Sequence, residues 1–289
     1  MKSIQRYSAF AGCLLFFSYL SPMNRKGNLQ KMRARVENGK VLYELPVGEE
    51  FLPLNPLLGK KLHLQFTGKI NCVHCGKAIR KTYAQGYCYD CFTSLPQTDV
   101  GILHPEKDVS YLGISRDMEW SERNSLIPHF VYLSFTDKVK VGVTRHTQVP
   151  TRWIDQGASQ AIILAKTPNR HIAGVIEVYL KQYFADKTSW QQMLKQTEAL
   201  QIDLLSEKQK AIALLHPELK QYISENDEIT NLEFPLVQVP KSVKSVKLDA
   251  KTPEINQRLN GIKGQYLLFE NGEVLNVRQH GGYEILVEH

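Results

Sequence analysis

Four cysteines within twenty residues constrain this chain more than any other feature. They stand as Cys72-Val73-His74-Cys75, twelve intervening residues, then Cys88-Tyr89-Asp90-Cys91. Two residues between cysteines let both sulfurs of one turn reach the same ion. Two such turns close a tetrahedral shell of four sulfurs, the arrangement of structural zinc. That shell has no open position for water, so Cys72, Cys75, Cys88 and Cys91 are expected to hold a structural Zn²⁺. Gly76 follows the second cysteine, where a positive φ turns backbone N–H groups toward the sulfurs, and Gly86 prepares the second turn. Lys77, Arg80 and Lys81 lie near enough in sequence to offset the net negative charge of four thiolates on zinc. His74 is not needed as a ligand and is expected to face solvent. A redox role for the two pairs is the alternative, but one ion explains both pairs at once. The total of five cysteines is odd and clustered, which suggests metal before disulfides in a chain of 289 residues.

That length exceeds what one hydrophobic core usually organises, so several units are expected. Residues 1–22 contain the apolar run Phe10 to Leu20, too short for a membrane span and followed by no small-x-small cleavage site. They read as an N-terminal extension, either a start placed too early or a weak signal-like segment. Residues 23–70 are β-rich, with Val41-Leu42-Tyr43 and Leu62-His63-Leu64-Gln65-Phe66 separated by glycines and prolines. Residues 71–127 comprise the zinc knuckle and an irregular connector. Residues 128–190 form a small α/β core, 191–235 a helical segment with Pro217 as its break, and 236–289 a second β-rich segment. Turns in that last segment are expected at Asn260-Gly261, Asn271-Gly272 and Gly281-Gly282. The class is α+β.

The core can be read residue by residue. His129 to Ser134 and Val139 to Thr144 are two short β runs around a polar turn, hence a hairpin. Pro150 to Gly157 reads as a brief helix ended by glycine, and Ala161 to Ala165 as a third strand. Asn169 and Arg170 open a helix in which Ile172, Ile176, Tyr179, Leu180 and Tyr183 share one face. Glu177 falls about 100° from the middle of that stripe, at the edge of the buried face.

This ββαβα order resembles the GIY-YIG nuclease superfamily, in its variants with Lys-[Ile/Val]-Gly as the second motif. Phe130-Val131-Tyr132 stands where GIY would stand, Lys140-Val141-Gly142 where YIG would, Arg152 at the helix arginine and Glu177 at the metal-binding glutamate. The resemblance covers about sixty residues and lies in order and spacing. It implies Mg²⁺-dependent phosphodiester hydrolysis, with Glu177 offering a carboxylate to Mg²⁺, Arg152 gripping a phosphate, and Tyr132 as base or water-orienting group. Lys140 replaces the second tyrosine and could hold a phosphate as a point charge, without a phenol's hydrogen bonding. The whole chain also resembles a bacterial family of unknown function that joins a four-cysteine knuckle to such a core. The shared phrases are Gln85 to Cys88, Arg152 to Ala158 and Gly261 to Tyr266. Where many members of that family carry further cysteines, this chain has Thr98, Gly101, Asp108, Ser115 and Ser125, which argues against a second metal site.

Each residue also has a plainer reading. Tyr132 could be a strand aromatic, Arg152 a surface cation beside Asp155, and Glu177 the i,i+4 partner of Lys181. Charge leans the other way. Lysine and arginine number 36 against 29 acids, a formal +7, and residues 126–190 hold eight of these cations against four acids. Such a balance suits an anionic partner. Arg145, Arg152, Trp153, Lys166, Arg170 and Trp190 mix cations with aromatics, and Lys241, Lys244, Lys247 and Lys251 form a second basic stripe.

The expected function is therefore a nucleic-acid-binding protein, of DNA or RNA, with structural zinc and a cleft of Tyr132, Lys140, Arg152 and Glu177, extending to Mg²⁺-dependent phosphodiesterase action. The alternative is a catalytically inactive zinc-containing protein-interaction adaptor. No membrane partner is expected, and reduced cysteines favour the cytoplasm.

Overall fold

The computed structural model describes residues 24–185, 189–195 and 202–289. The expectation for residues 1–22 lies outside them. The architecture is α+β, with several mainly antiparallel sheets, few long helices, and no described helix long and apolar enough to cross a membrane.

Strand Lys61–Asn71 is the axis of the largest sheet. Its sequence KLHLQFTGKIN alternates so that Leu62 and Leu64 are buried while Lys61 and Gln65 are exposed, the period of a strand with one face in the core. It pairs antiparallel with Tyr283–Glu288 on one side and Glu254–Lys263 on the other. Tyr283–Glu288 pairs in turn with Arg25–Asn28, which forms the outer edge of the sheet on that side. On the far side the sheet continues through Tyr266–Phe269 and Glu273–Asn276 to Lys244–Val246. A meander of Arg33–Glu37, Lys40–Val47 and Glu50–Pro53 packs against this sheet around Tyr43, Leu45, Leu54, Leu259 and Phe269.

The hairpin of the α/β core is His129–Phe135 with Val139–Arg145, and Gln160–Thr167 and Ile229–Asn231 complete a four-stranded antiparallel sheet. Alternation divides its residues. Val131, Leu133, Phe135, Val141 and Val143 pack with Ala173, Ile176 and Leu180 of the helix Arg170–Leu180, and with Leu204 and Ala211 of the helix Leu204–Leu214. Tyr132 points the other way, into the core shared with Trp153, Ile154 and the large sheet. Burying side chains of this size contributes about 1.5–3 kcal/mol each before ordering costs. The helix Arg170–Leu180 begins where the Asn169 side chain accepts from the Ile172 amide at 3.0 Å.

Three local expectations need correction. Asn260-Gly261 makes no turn; it lies inside strand Glu254–Lys263 at a register shift. A Cβ on Gly261 would come within 2.4 Å of the Leu236 side chain, so the glycine serves a close approach of the 235–238 segment. The turn falls at Gly264 instead, with φ +61°. Tyr183 lies beyond the helix end and is 53% exposed, so it does not belong to the buried stripe. The connector is more ordered than its sequence suggests. Short helices at Val100–Leu103 and Met118–Asn124 fold it onto the core, and a Cβ on Gly174 would sit 2.2 Å from the Glu106 amide nitrogen.

Candidate functional site

The cysteine site grows out of the end of strand Lys61–Asn71. Asn71 and Ala78 pair across a tight hairpin whose Gly76 has φ +73°, placing Cys72 and Cys75 on one turn. Cys88 caps the short helix Tyr89–Ser94, which carries Cys91 one turn in. The four Sγ atoms lie within 4.8 Å of one another. Tetrahedral zinc at about 2.3 Å from each sulfur requires sulfurs roughly 3.8 Å apart, and Cys75 and Cys88 Sγ stand at 3.8 Å. The donor set therefore fits a four-thiolate ion. Backbone amides supply the next layer: Cys88 N–H donates to Cys72 Sγ at 3.2 Å and Cys91 N–H to Cys88 Sγ at 3.4 Å. Burial opposes ionisation of Cys72, but amides of Cys75, Cys88 and His74 more than offset it and lower the thiol to about 6. His74 is exposed, as expected. Of the nearby cations, Lys77 approaches Asp90 at 3.6 Å and Lys81 lies over the Tyr83 ring.

The C-terminal segment holds this knuckle in place. A Cβ on Gly282 would fall 2.1 Å from the Asn71 carbonyl oxygen, and one on Gly86 2.5 Å from Val73 Cγ1. A Cβ on Gly281 would fall 2.5 Å from the Gln85 carbonyl oxygen, so the Gly281-Gly282 turn packs at glycine-only distances against both halves of the cysteine site.

The second candidate site centres on Arg152. Tyr132 and Gly142 face each other across the hairpin, and Lys140, opposite Ser134, shares their face at the strand period of two. A Cβ on Gly142 would meet the Tyr132 hydroxyl at 2.6 Å, so the glycine of the Lys-Val-Gly triplet makes room for the phenol. Tyr132 is fully buried, packs edge-on to Trp153 at 5.9 Å, and donates its hydroxyl to Gln156 Oε1 at 2.7 Å. Desolvation raises its pKa, against the opposing pull of the adjacent Arg152. Lys140 is lowered to about 8 by burial and then by repulsion from Arg152. Glu177 comes from the helix on the other side of the sheet. Its carboxylate is buried, raised in pKa by desolvation, and paired with Lys181 at 3.5 Å, the i,i+4 partnership read from the sequence. Arg152 sits against Tyr132, and its charge also bears on Lys140 and Glu177, disfavouring the charged lysine and favouring the ionised carboxylate. One buried carboxylate already held by a lysine is a poor donor set for Mg²⁺, which favours several oxygen ligands and retained waters.

Sequence reasoning missed much of what supports Arg152. The helix Thr151–Asp155 is little more than one turn, and its neighbours fix it. Asp155 pairs with Lys31 and accepts from Gln265 Nε2 at 3.0 Å, while Gln265 also bonds Met32 N and O at 2.9 and 3.1 Å. Asp155, Gln156 and Gln265 all lie in the shared phrases noted above, which was the available signal. Arg170 was legible only as one of several cations among aromatics, and Arg278 had no signal. Arg170 donates to the Gly101 and Ile102 carbonyls at 2.8 and 2.7 Å and is lowered to about 10, mainly by burial. Arg152 repels both Arg170 and Arg278. The expected mixture of cations and aromatics is partly structural instead: Trp153 is buried, Trp190 stacks on Tyr266, and Arg145 bonds Asn124. Lys241, Lys244, Lys247 and Lys251 are exposed.

Comparison with known proteins finds one family model, described as "Protein of unknown function (DUF2797)", matching residues 59–285. No curated protein matches, and no solved structure does.

Proposed function

We propose that this chain, which belongs to the DUF2797 family of proteins of unknown function, is a nucleic-acid-binding protein in which structural zinc stiffens a platform beside a phosphate cleft centred on Arg152. The observation that supports the reading is a set of half-buried cations: Arg152, Arg170 and Arg278, whose charges bear on one another, and Lys140, which lies on the hairpin face that carries Tyr132 and Gly142. The acids beside them are shared: Glu177 pairs with Lys181, Asp155 with Lys31 and Asp108 with Ser110 at 2.5 Å, while Asp108 also attracts Arg170, Asp155 attracts Arg278 and Asp137 attracts Lys140. A fold that collects like charges against desolvation gains when an anion enters among them, and a phosphate backbone offers such charge in series. Arg152 suits bidentate phosphate contact, and Lys140 suits a point contact.

Binding is better supported than hydrolysis. Tyr132 is sealed between Gly142 and Trp153 with a raised pKa, which is the wrong direction for a general base near neutral pH. Glu177 would have to leave Lys181 before it could ligate a metal.

The test is fluorescence anisotropy of labelled DNA and RNA with the full chain over a salt series. Retention at low salt, weakening with a negative log–log slope that becomes shallower by about 0.7–0.9 in Arg152→Ala, is the expected result. No retention at low salt would favour the adaptor. Cleavage in Mg²⁺ or Mn²⁺ that is lost in Glu177→Ala would establish hydrolysis over binding alone.

A further inference from the structure

We infer that the hollow between the cysteine knuckle, the connector at residues 97–103 and the C-terminal segment at Arg278 is a subsite for one unpaired nucleotide of a single strand, an inference that rests on reading the Arg152 cluster as a phosphate cleft. The hollow measures about 480 Å³, within the range of small-molecule sites and ample for a nucleobase with its sugar. Tyr87 and Phe92 of the knuckle and Ile102 of the connector line it, and Leu103 stands at its rim with 81% exposure. An exposed leucine beside half-buried aromatics is surface that a flat apolar ring would cover.

The polar floor is Arg278. Its side chain is largely desolvated, which lowers its pKa, and it makes no hydrogen bond or ion pair among the described residues. Asp155 attracts it, Arg152 repels it and Tyr87 is close enough to interact. Arg278 thus lines the hollow together with Tyr87 and Phe92 and also feels the charge of Arg152, so a phosphate beside it would be attracted by both arginines. A strand whose backbone follows the cations would place one base against Tyr87 and Phe92.

The rim carries backbone strain as well. Ala84 and Gln85 hold φ of +41° and +70°, where side chains are seldom found, and both line the hollow. Strain of this kind persists where surroundings over-determine it, commonly at ligand clamps. A paired base could not enter, because its faces are covered by neighbours and its edge by its partner. Stacking on aromatics needs a freed base and tolerates any sequence.

The experiment compares a short fluorescent oligothymidylate with a blunt duplex of the same length, using the full chain loaded with zinc. The expected result is tighter binding of the single strand by about tenfold, the scale of one stacked base. Arg278→Gln and Phe92→Leu should each remove most of that preference while zinc content stays at one per chain. Equal affinity for both probes, or a preference surviving both variants, would overturn the subsite and leave the phosphate cleft standing. Failure to retain either probe at low salt would remove the nucleic-acid reading and the subsite together.

Discussion

Gln265 reaches Asp155 across 110 residues, donating from Nε2 to Oδ1 at 3.0 Å, and with the same amide spans the backbone of Met32. The contact ties together the N-terminal segment, the short helix bearing Arg152 and the C-terminal sheet. Asp155 cannot relax away, because Lys31 holds its other oxygen. A helix of five residues has little stability of its own, so the orientation of Arg152 depends on this clamp.

Gln265→Ala should therefore lower stability by roughly 2–4 kcal/mol, since it leaves Met32 backbone groups buried and unmatched at about 1–3 kcal/mol each. Urea unfolding checks the loss. Anisotropy on the same variant should show weaker binding under conditions where it remains folded, because Arg152 loses its support.

Gly142→Ala tests the fit between the hairpin and Tyr132. The added methyl would meet the hydroxyl and ring of Tyr132 at 2.6 and 2.7 Å. The expected cost is about 1–3 kcal/mol. A second change, Tyr132→Leu, should make the alanine less costly than it is beside tyrosine. A double-mutant cycle in thermal unfolding measures that coupling, and additive losses would show that the two residues do not touch.

His63 makes stability depend on pH. Its Nδ1 lies 3.0 Å from Glu288 and its Nε2 3.1 Å from Glu254, joining three adjacent strands. Hydrogen bonding to Glu288 leads the causes that raise its pKa above the ordinary 6.5, against burial. A raised folded-state value means this contribution is fully present below the unfolded value and is lost as pH rises through the folded one. Melting temperatures of wild type and His63→Asn should differ most below pH 6.5, while the carboxylates stay ionised, and converge in alkaline buffer. A constant difference across that range would contradict the assignment.

Metal analysis should find one zinc per chain. Cys72→Ser and Cys88→Ser should each lose it, because three thiolates leave the tetrahedron open. Chelation should also lower the melting temperature, since metal binding and folding are coupled in such sites. The Gly281-Gly282 turn packed on the knuckle makes the large sheet part of that response. Retention of zinc in both variants would show that the four sulfurs do not share one ion.

Local order was legible in the sequence. The paired cysteines were legible as a cluster of four sulfurs able to share an ion, because chain geometry restricts what two intervening residues can do. The hairpin, the short helix ended by Gly157 and the helix opened by Asn169 follow from alternation, from a left-handed glycine and from a side-chain cap, all set by neighbours within a few positions. Glu177 and Lys181 likewise meet because they are one helical turn apart. Tertiary structure decided the rest: that Tyr283–Glu288 and Glu254–Lys263 flank the strand leading to Cys72, that Gly261 sits in a strand while Gly264 makes the turn, and that Arg278 lines the same hollow as Tyr87 and Phe92. Those relationships join residues far apart in sequence, where no period or cap carries information. They exist only because burying the shared apolar faces leaves the backbone one way to close.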